Sequence, residues 1–185
     1  MISIAAATDK DIPRLLEIER DAISPPWTHG ALLSELYRGD SFFAVAVGEC
    51  GMRNAECGIT RESAASAANA ELKTSEFVID NEGTYDGNSS QLLGFVILRR
   101  MGDEGELLQI AVDSAARRRG VADALLEAAL GFSLEHALKS VFLEVRLGNE
   151  AAIALYTKHC FQTVRRRKDY YTNPAEDAVV MVKEF

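Results

Sequence analysis

Residues 107–122 read LLQIAVDSAARRRGVA, and the rest of the chain is organised around them. Leu107, Leu108, Ile110, Ala111 and Val112 make a short apolar run, the pattern of a buried strand. A polar turn follows, carrying Arg117, Arg118, Arg119 and Gly120. Val121, Leu125, Ala128 and Phe132 then recur at helical spacing. A strand, an arginine-bearing turn and a helix start together aim backbone N–H groups at a phosphate. The first N–H groups of a helix have no partner inside it, and the macrodipole favours an anion there. Gly120 removes a Cβ that would hinder close approach, and Ala122 keeps the next facing position small. The spacing Arg117-x-x-Gly120-x-Ala122 is neither a Walker loop nor Gly-x-Gly-x-x-Gly. An arginine-rich turn before an ordinary surface helix gives the same short match, so this stretch alone leaves both readings open.

The chain has 185 residues, 48% of them hydrophobic, which fits a single domain over 1–185 with one full core. No apolar run approaches the ~18 residues of a membrane span, and no basic-then-apolar leader opens the sequence. The expectation is a cytoplasmic protein with no membrane partner. A net charge of −8 argues against general nucleic-acid binding. It suits a basic acceptor drawn in by the field, and equally a surface that is acidic for solubility. Cys50, Cys57 and Cys160 are an odd set, read as reduced thiols, and no zinc-type spacing is present. No metal site is expected.

The remaining chain divides cleanly. Residues 2–5 read as a strand. Thr8 is placed to cap a helix carrying Ile12, Leu15, Leu16, Glu19 and Ile23, which the prolines at 25 and 26 stop. Trp27 follows, either as packing or as part of a substrate groove, and Thr28 caps a second helix through Leu36. Strands are expected at 42–47 and 92–98, with Gly94 marking a bulge. Between them, residues 48–90 are far longer than a normal connection and read as a surface insertion. A weak helix at 61–72, a strand at 77–80 and a turn at 81–83 are expected within it. After the central helix, which runs to about His136, come a strand at 141–145 and a helix capped by Asn149. Strands at 161–166 and 178–182 close the chain. The order β-α-α-β-β-β-α-β-α-β-β predicts an α/β architecture, a mixed sheet with helices on its faces.

Two side chains stand out chemically. On period 2, Phe142 and Glu144 face one way while Val141, Leu143 and Val145 face the other. A carboxylate in so apolar a strand is either a general base or a surface glutamate paired with Arg146 or Arg166. Tyr156 lies on the apolar face of its helix, as a core tyrosine or as a general acid. Glu106 is a rival base.

The run Leu143-Glu144-Val145-Arg146-x-x-Asn149-x-x-Ala152-Ile153-x-Leu155-Tyr156-x-x-x-x-Phe161 resembles the bacterial ribosomal-protein-alanine N-acetyltransferases, a subfamily of the GNAT acetyltransferases. So do Gln109-Ile110-Ala111-Val112-Asp113, Pro26-Trp27-Thr28, Tyr170-Tyr171 and Glu176-Asp177-Ala178, and so does the arginine–glycine turn. The resemblance covers the chain outside 48–90. It implies the GNAT fold, a mixed, mostly antiparallel central sheet flanked by helices. It also implies acetyl-CoA as donor and a protein N-terminus, such as that of a ribosomal protein, as acceptor. Glu144 would be the base and Tyr156 the acid. Ile110, Ala111 and Val112 would hold the acetyl-pantetheine arm through their backbone. Arg117, Arg118, Arg119, Gly120, Val121, Ala122 and Asp123 would surround the pyrophosphate, and Asn149 would touch the cofactor. A monomer or weak homodimer is expected. Cys160 departs from the family, which usually has a C-capping glycine there; a positive φ would strain it by about 1 kcal/mol. Another N-terminus, a lysine or a small amine remain alternative acceptors, and a non-catalytic acyl-CoA-binding module is a further alternative.

Overall fold

The computed structural model describes residues 1–23, 25–49 and 90–185. Cys50, Cys57 and the elements expected at 61–72, 77–80 and 81–83 lie outside the described residues. The elements are β1 (Ile2–Ala6), α1 (Ile12–Ala22), α2 (His29–Leu36), β2 (Ser41–Glu49), β3 (Ser90–Met101) and β4 (Glu104–Val112). They continue with α3 (Val121–Glu135), β5 (Ser140–Arg146), α4 (Glu150–Lys158), β6 (Gln162–Thr172) and β7 (Ala175–Glu184). This is the expected order. The clearest difference is β6, which runs on to Thr172 because a bulge lets the strand resume after Asp169.

One sheet holds seven strands in the order β1-β2-β3-β4-β5-β7-β6, antiparallel throughout except for the β4–β5 pair. A parallel neighbour needs a crossover, and α3 supplies it. Val121, Leu125, Leu126 and Ala129 of α3 pack with Leu107, Val112, Leu143 and Val145 on one face. Tyr156 and Phe161 join this layer. Ile12, Leu15 and Ile18 of α1 and Leu32 of α2 pack with Phe43, Val45, Phe95, Ile97 and Ala111 on the other. β2, β3 and β4 therefore feed alternate residues into two cores, which is why these central strands read as nearly continuous apolar runs.

Two irregularities shape the middle of the sheet. Leu93 is the extra residue of a bulge beside Gly94. A Cβ on Gly94 would stand 2.5 Å from the Ala111 carbonyl oxygen, so only glycine lets β3 and β4 approach here. Leu108 is the extra residue of a second bulge, since Ile97 pairs with Gln109 while Leu98 pairs with Leu107. Leu108 packs against the α1 layer and Gln109 hydrogen-bonds α1, so consecutive side chains lean to one face.

The helix ends follow local chemistry. Asp11 accepts from both the backbone N–H and the hydroxyl of Thr8 at 2.8 Å, fixing the turn before α1. Thr28 and Asn149 cap α2 and α4 through Ala31 N and Ala152 N. At its C-terminus α4 closes with Phe161 N–H on the Tyr156 carbonyl and Cys160 N–H on that of Thr157, both 3.0 Å. Cys160 has φ 66°, the left-handed conformation that favours glycine. Cys160→Gly relieves about 1 kcal/mol of strain, partly offset by the freer unfolded chain. A rise in Tm of about 2 °C is expected by calorimetry, and Cys160→Ala, which keeps a Cβ, gives none.

Candidate active site

β4 and β5 pair in register from Glu104–Ser140 to Leu107–Leu143 and no further. Beyond that point β4 follows β3 to Val112, and β5 follows β7 to Arg146. The two strands part, so the β4 edge over residues 108–112 faces a gap rather than a strand. Ile110, Ala111 and Val112 lie on this stretch. An unpaired edge in mid-sheet is costly unless something else meets its N–H and C=O groups.

At the far end of the gap the chain turns into α3. Gly120, at φ 81°, is the N-cap and offers no side chain to the first-turn N–H groups of Val121, Ala122 and Asp123. Arg118 is also left-handed, at φ 62°. The loop thus presents uncapped donors between exposed Arg118 and Arg119, a suitable seat for a pyrophosphate. Arg117 is different. Its guanidinium turns back to the carbonyl oxygens of Val112 at 3.3 Å and Asp21 at 3.4 Å, so it braces the loop against α1. The Asp123 carboxylate is also engaged, with Lys158 at 2.5 Å and His159 at 3.0 Å. Burial raises its pKa, but these two hydrogen bonds outweigh that and hold it below its ordinary value. Only the backbone of Asp123 is available to an anion. The Asn149 side chain caps α4.

Glu144 stands on the face opposite α3, as the alternation predicts, with Val141, Leu143 and Val145 buried beneath it. Helices α1 and α2 lie over β2 to β4, and Phe142 and Glu144 stay part-exposed. Glu144 is paired, while Arg146 pairs with Glu176 and Arg166 with Asp177. The partner of Glu144 is Arg167, whose Nη1 donates to Glu144 Oε1. Arg167 also lies 4.7 Å above the Tyr170 ring, and the nearby Glu144 carboxylate is the main reason the Tyr170 pKa is raised. On period 2 Tyr170 would point away from Arg167. The β6 bulge, where the stretch from Arg167 to Tyr171 spans only Ala178 to Glu176 on β7, turns it back. Arg146 stacks 4.0 Å over Tyr171.

Glu106 shares this face, and its pKa is raised. Burial contributes most, Arg99 opposes it, and the negative charges of Glu144 and Glu35 add to it. Glu106 pairs with Phe142, which puts Glu144 on the diagonal, about 7–8 Å away between backbones. Tyr156 lies on the opposite face, 6% exposed in the α3 layer and 5.8 Å from the Phe161 ring. Burial, then the neighbouring Tyr171, pushes its phenol well above the ordinary value. Tyr171 in turn feels Glu144. Base candidate and acid candidate therefore stand on opposite faces, and the gap between β4 and β5 opens between them.

A model of the acetyltransferase (GNAT) family matches residues 51–161. The chain belongs to the GNAT family. Among curated relatives, the ribosomal protein bS18-alanine N-acetyltransferase of Escherichia coli is 37% identical over 95 residues, half of this chain. The match spans 64% of that relative, just under two thirds of its length. The enzyme of the same name from Haemophilus ducreyi is 27% identical over 181 residues, covering 96% of this chain and 97% of its own. The crystal structure of the E. coli ribosomal-protein-S18-alanine N-acetyltransferase superposes with a TM-score of 0.71 at 25% identity, covering all of this chain and 94% of that one. Arg167, Tyr170 and Tyr171 were not assigned roles from sequence; the only signal was a basic run followed by paired tyrosines, and the bulge that brings them to Glu144 leaves no periodic trace.

Proposed function

We propose that this chain transfers the acetyl group of acetyl-CoA to the N-terminal α-amino group of a protein, in the cytoplasm. The first acceptor to test is the alanine terminus of a small-subunit ribosomal protein. The observation that carries this is the gap between β4 and β5, running from the uncapped α3 N-terminus to Glu144. The full-length relationship to an enzyme named for that reaction supports the choice of acceptor.

The residues fit acetyl-CoA. Exposed Arg118 and Arg119 and the first-turn N–H groups would hold its pyrophosphate, and the free β4 edge would hold the pantetheine arm. When bound, acetyl-CoA supplies a thioester open to direct attack by an amine. Glu144 takes the proton from the α-ammonium, and the nitrogen then bonds to the carbonyl carbon. A β4 N–H near Ile110 to Val112 stabilises the negative charge growing on the carbonyl oxygen. The C–S bond breaks while the Tyr156 hydroxyl hydrogen-bonds the departing sulfur; the nitrogen sheds its second proton to become the amide, and the thiolate takes up a proton to leave as the free thiol. Holding both reactants in one groove supplies much of the rate.

The decisive test is free-thiol release from acetyl-CoA with alanine-terminal peptides beside N-blocked peptides offering only a lysine. Turnover confined to the free terminus supports the proposal, and turnover with lysine alone refutes it. The three arginines are separable in the same assay. Arg118→Ala and Arg119→Ala are each expected to weaken acetyl-CoA binding about two- to fivefold, less at high salt. Arg117→Ala is expected to lower thermal stability as well, because its contacts are to the protein itself.

A further inference from the structure

Glu19 is a carboxylate with no exposed surface, on the layer of α1 that covers the sheet. Its Oε1 accepts from Trp27 N at 2.7 Å and from Gln109 Nε2 at 2.9 Å. Glu19 Oε2 and Gln109 Oε1 are buried with no hydrogen-bond partner among the described residues. Burying a carboxylate so incompletely satisfied is unfavourable, and an apolar side chain of similar size would fill this place without that cost. What the carboxylate adds is connection between two particular parts of the site.

One is Gln109, the residue after the β4 bulge and past the last β4–β5 pair. It belongs to the strand that parts from β5, immediately before Ile110. The other is Trp27, which follows the two prolines that stop α1 and packs part-buried against the same core. α1 lies along the mouth of the gap, because Arg14 in its first turn pairs with Asp113 at the end of β4 and the Asp21 carbonyl near its other end receives Arg117 of the phosphate loop. One oxygen thus ties the segment at the mouth to the strand inside.

We propose that Glu19 is a positioning residue: it clamps the Trp27 segment to the parted half of β4 and sets the width of the acceptor entrance. The kinetic part of this proposal rests on the acetyl-transfer reading; the clamp itself does not. Trp27 is the single tryptophan in the chain, so intrinsic emission reports on this segment alone.

The experiment compares wild type, Glu19→Gln, Glu19→Leu and Gln109→Leu by acrylamide quenching of Trp27, by acetyl-CoA calorimetry and by steady-state kinetics with an alanine-terminal peptide. Glu19→Gln keeps an acceptor oxygen for both donors and is expected to match wild type. Glu19→Leu and Gln109→Leu are expected to raise the quenching constant about twofold and the acceptor KM about tenfold, with acetyl-CoA affinity changed less than about threefold. If Glu19→Leu does not fold, Gln109→Leu carries the same expectation. A folded leucine variant with unchanged quenching overturns the clamp. Equal losses toward both substrates would also overturn it, by showing a general structural role. If wild type itself turns over no peptide, the acetyl-transfer reading falls, and the quenching comparison still decides the clamp.

Discussion

Glu144→Gln is expected to lower kcat/KM for an alanine-terminal peptide about 10²-fold at pH 7, the lower end of the range for general-base loss. An α-ammonium has a pKa of about 7.7–8.0, so at pH 7 roughly a tenth of the acceptor is already neutral. The base supplies the rest by removing the proton within the groove. The deficit is therefore expected to narrow by up to about tenfold as pH rises to about 9, where solvent does that work. The loss is not one of folding. Glu144 and Arg167 are 22% and 38% exposed as side chains, and a pair so open to water contributes about 1 kcal/mol or less. Glu106→Gln is the necessary control. Burial, only partly opposed by Arg99, holds its carboxyl above the ordinary range, so it keeps its proton to higher pH than a free carboxylate would. Its replacement is expected to cost less than about threefold. Stopped-time thiol release across pH decides between the two carboxylates. A larger loss in Glu106→Gln than in Glu144→Gln would transfer the base role to Glu106.

The architecture was legible because each element announces itself locally. Thr8 with Asp11, Thr28 and Asn149 mark three helix starts. The prolines at 25 and 26 mark an end. The alternation from Val141 to Val145 identifies the face that Glu144 occupies. Cys160 was readable as a strained position through the resemblance, which implies a C-capping glycine there, and its φ is indeed positive. What stayed hidden depends on contacts between residues far apart in the chain. Arg167 is one of four consecutive basic residues with nothing in the sequence to set it apart, yet it lies on Glu144, 23 positions earlier, through a strand pairing and a bulge that have no period. The three consecutive arginines look equivalent in sequence, whereas Arg117 turns inward to the end of α1, 96 positions away. Glu19 looked like a polar residue on a helical stripe and proved to be wholly buried. Local signals fix elements; the electrostatic partners within a site come from the tertiary arrangement, and a single sequence contains little of that.

Tyr156→Phe is expected to lower kcat about 10²-fold while leaving both KM values within about threefold. The hydroxyl is the only group removed, and the ring keeps its contact with Phe161 in the α3 layer. Burial holds the phenol protonated well past its ordinary range, so it remains a hydrogen-bond donor throughout the working pH range. The same shift limits its strength as an acid. A thiol has a pKa of about 8.5, and full proton transfer from a phenol above 10 to that thiolate is uphill. The contribution must come while the C–S bond is breaking, through a hydrogen bond that strengthens as charge reaches sulfur. The loss therefore belongs in kcat, and its shape with pH is diagnostic. The deficit of Tyr156→Phe is expected to be constant from about pH 6 to 9, because the phenol does not titrate there, whereas that of Glu144→Gln narrows. The two variants together separate the proton transfer at nitrogen from the hydrogen bond to sulfur, on opposite faces of the sheet. Parallel, pH-independent losses in both would instead mean that neither residue moves a proton and that the groove works by positioning alone.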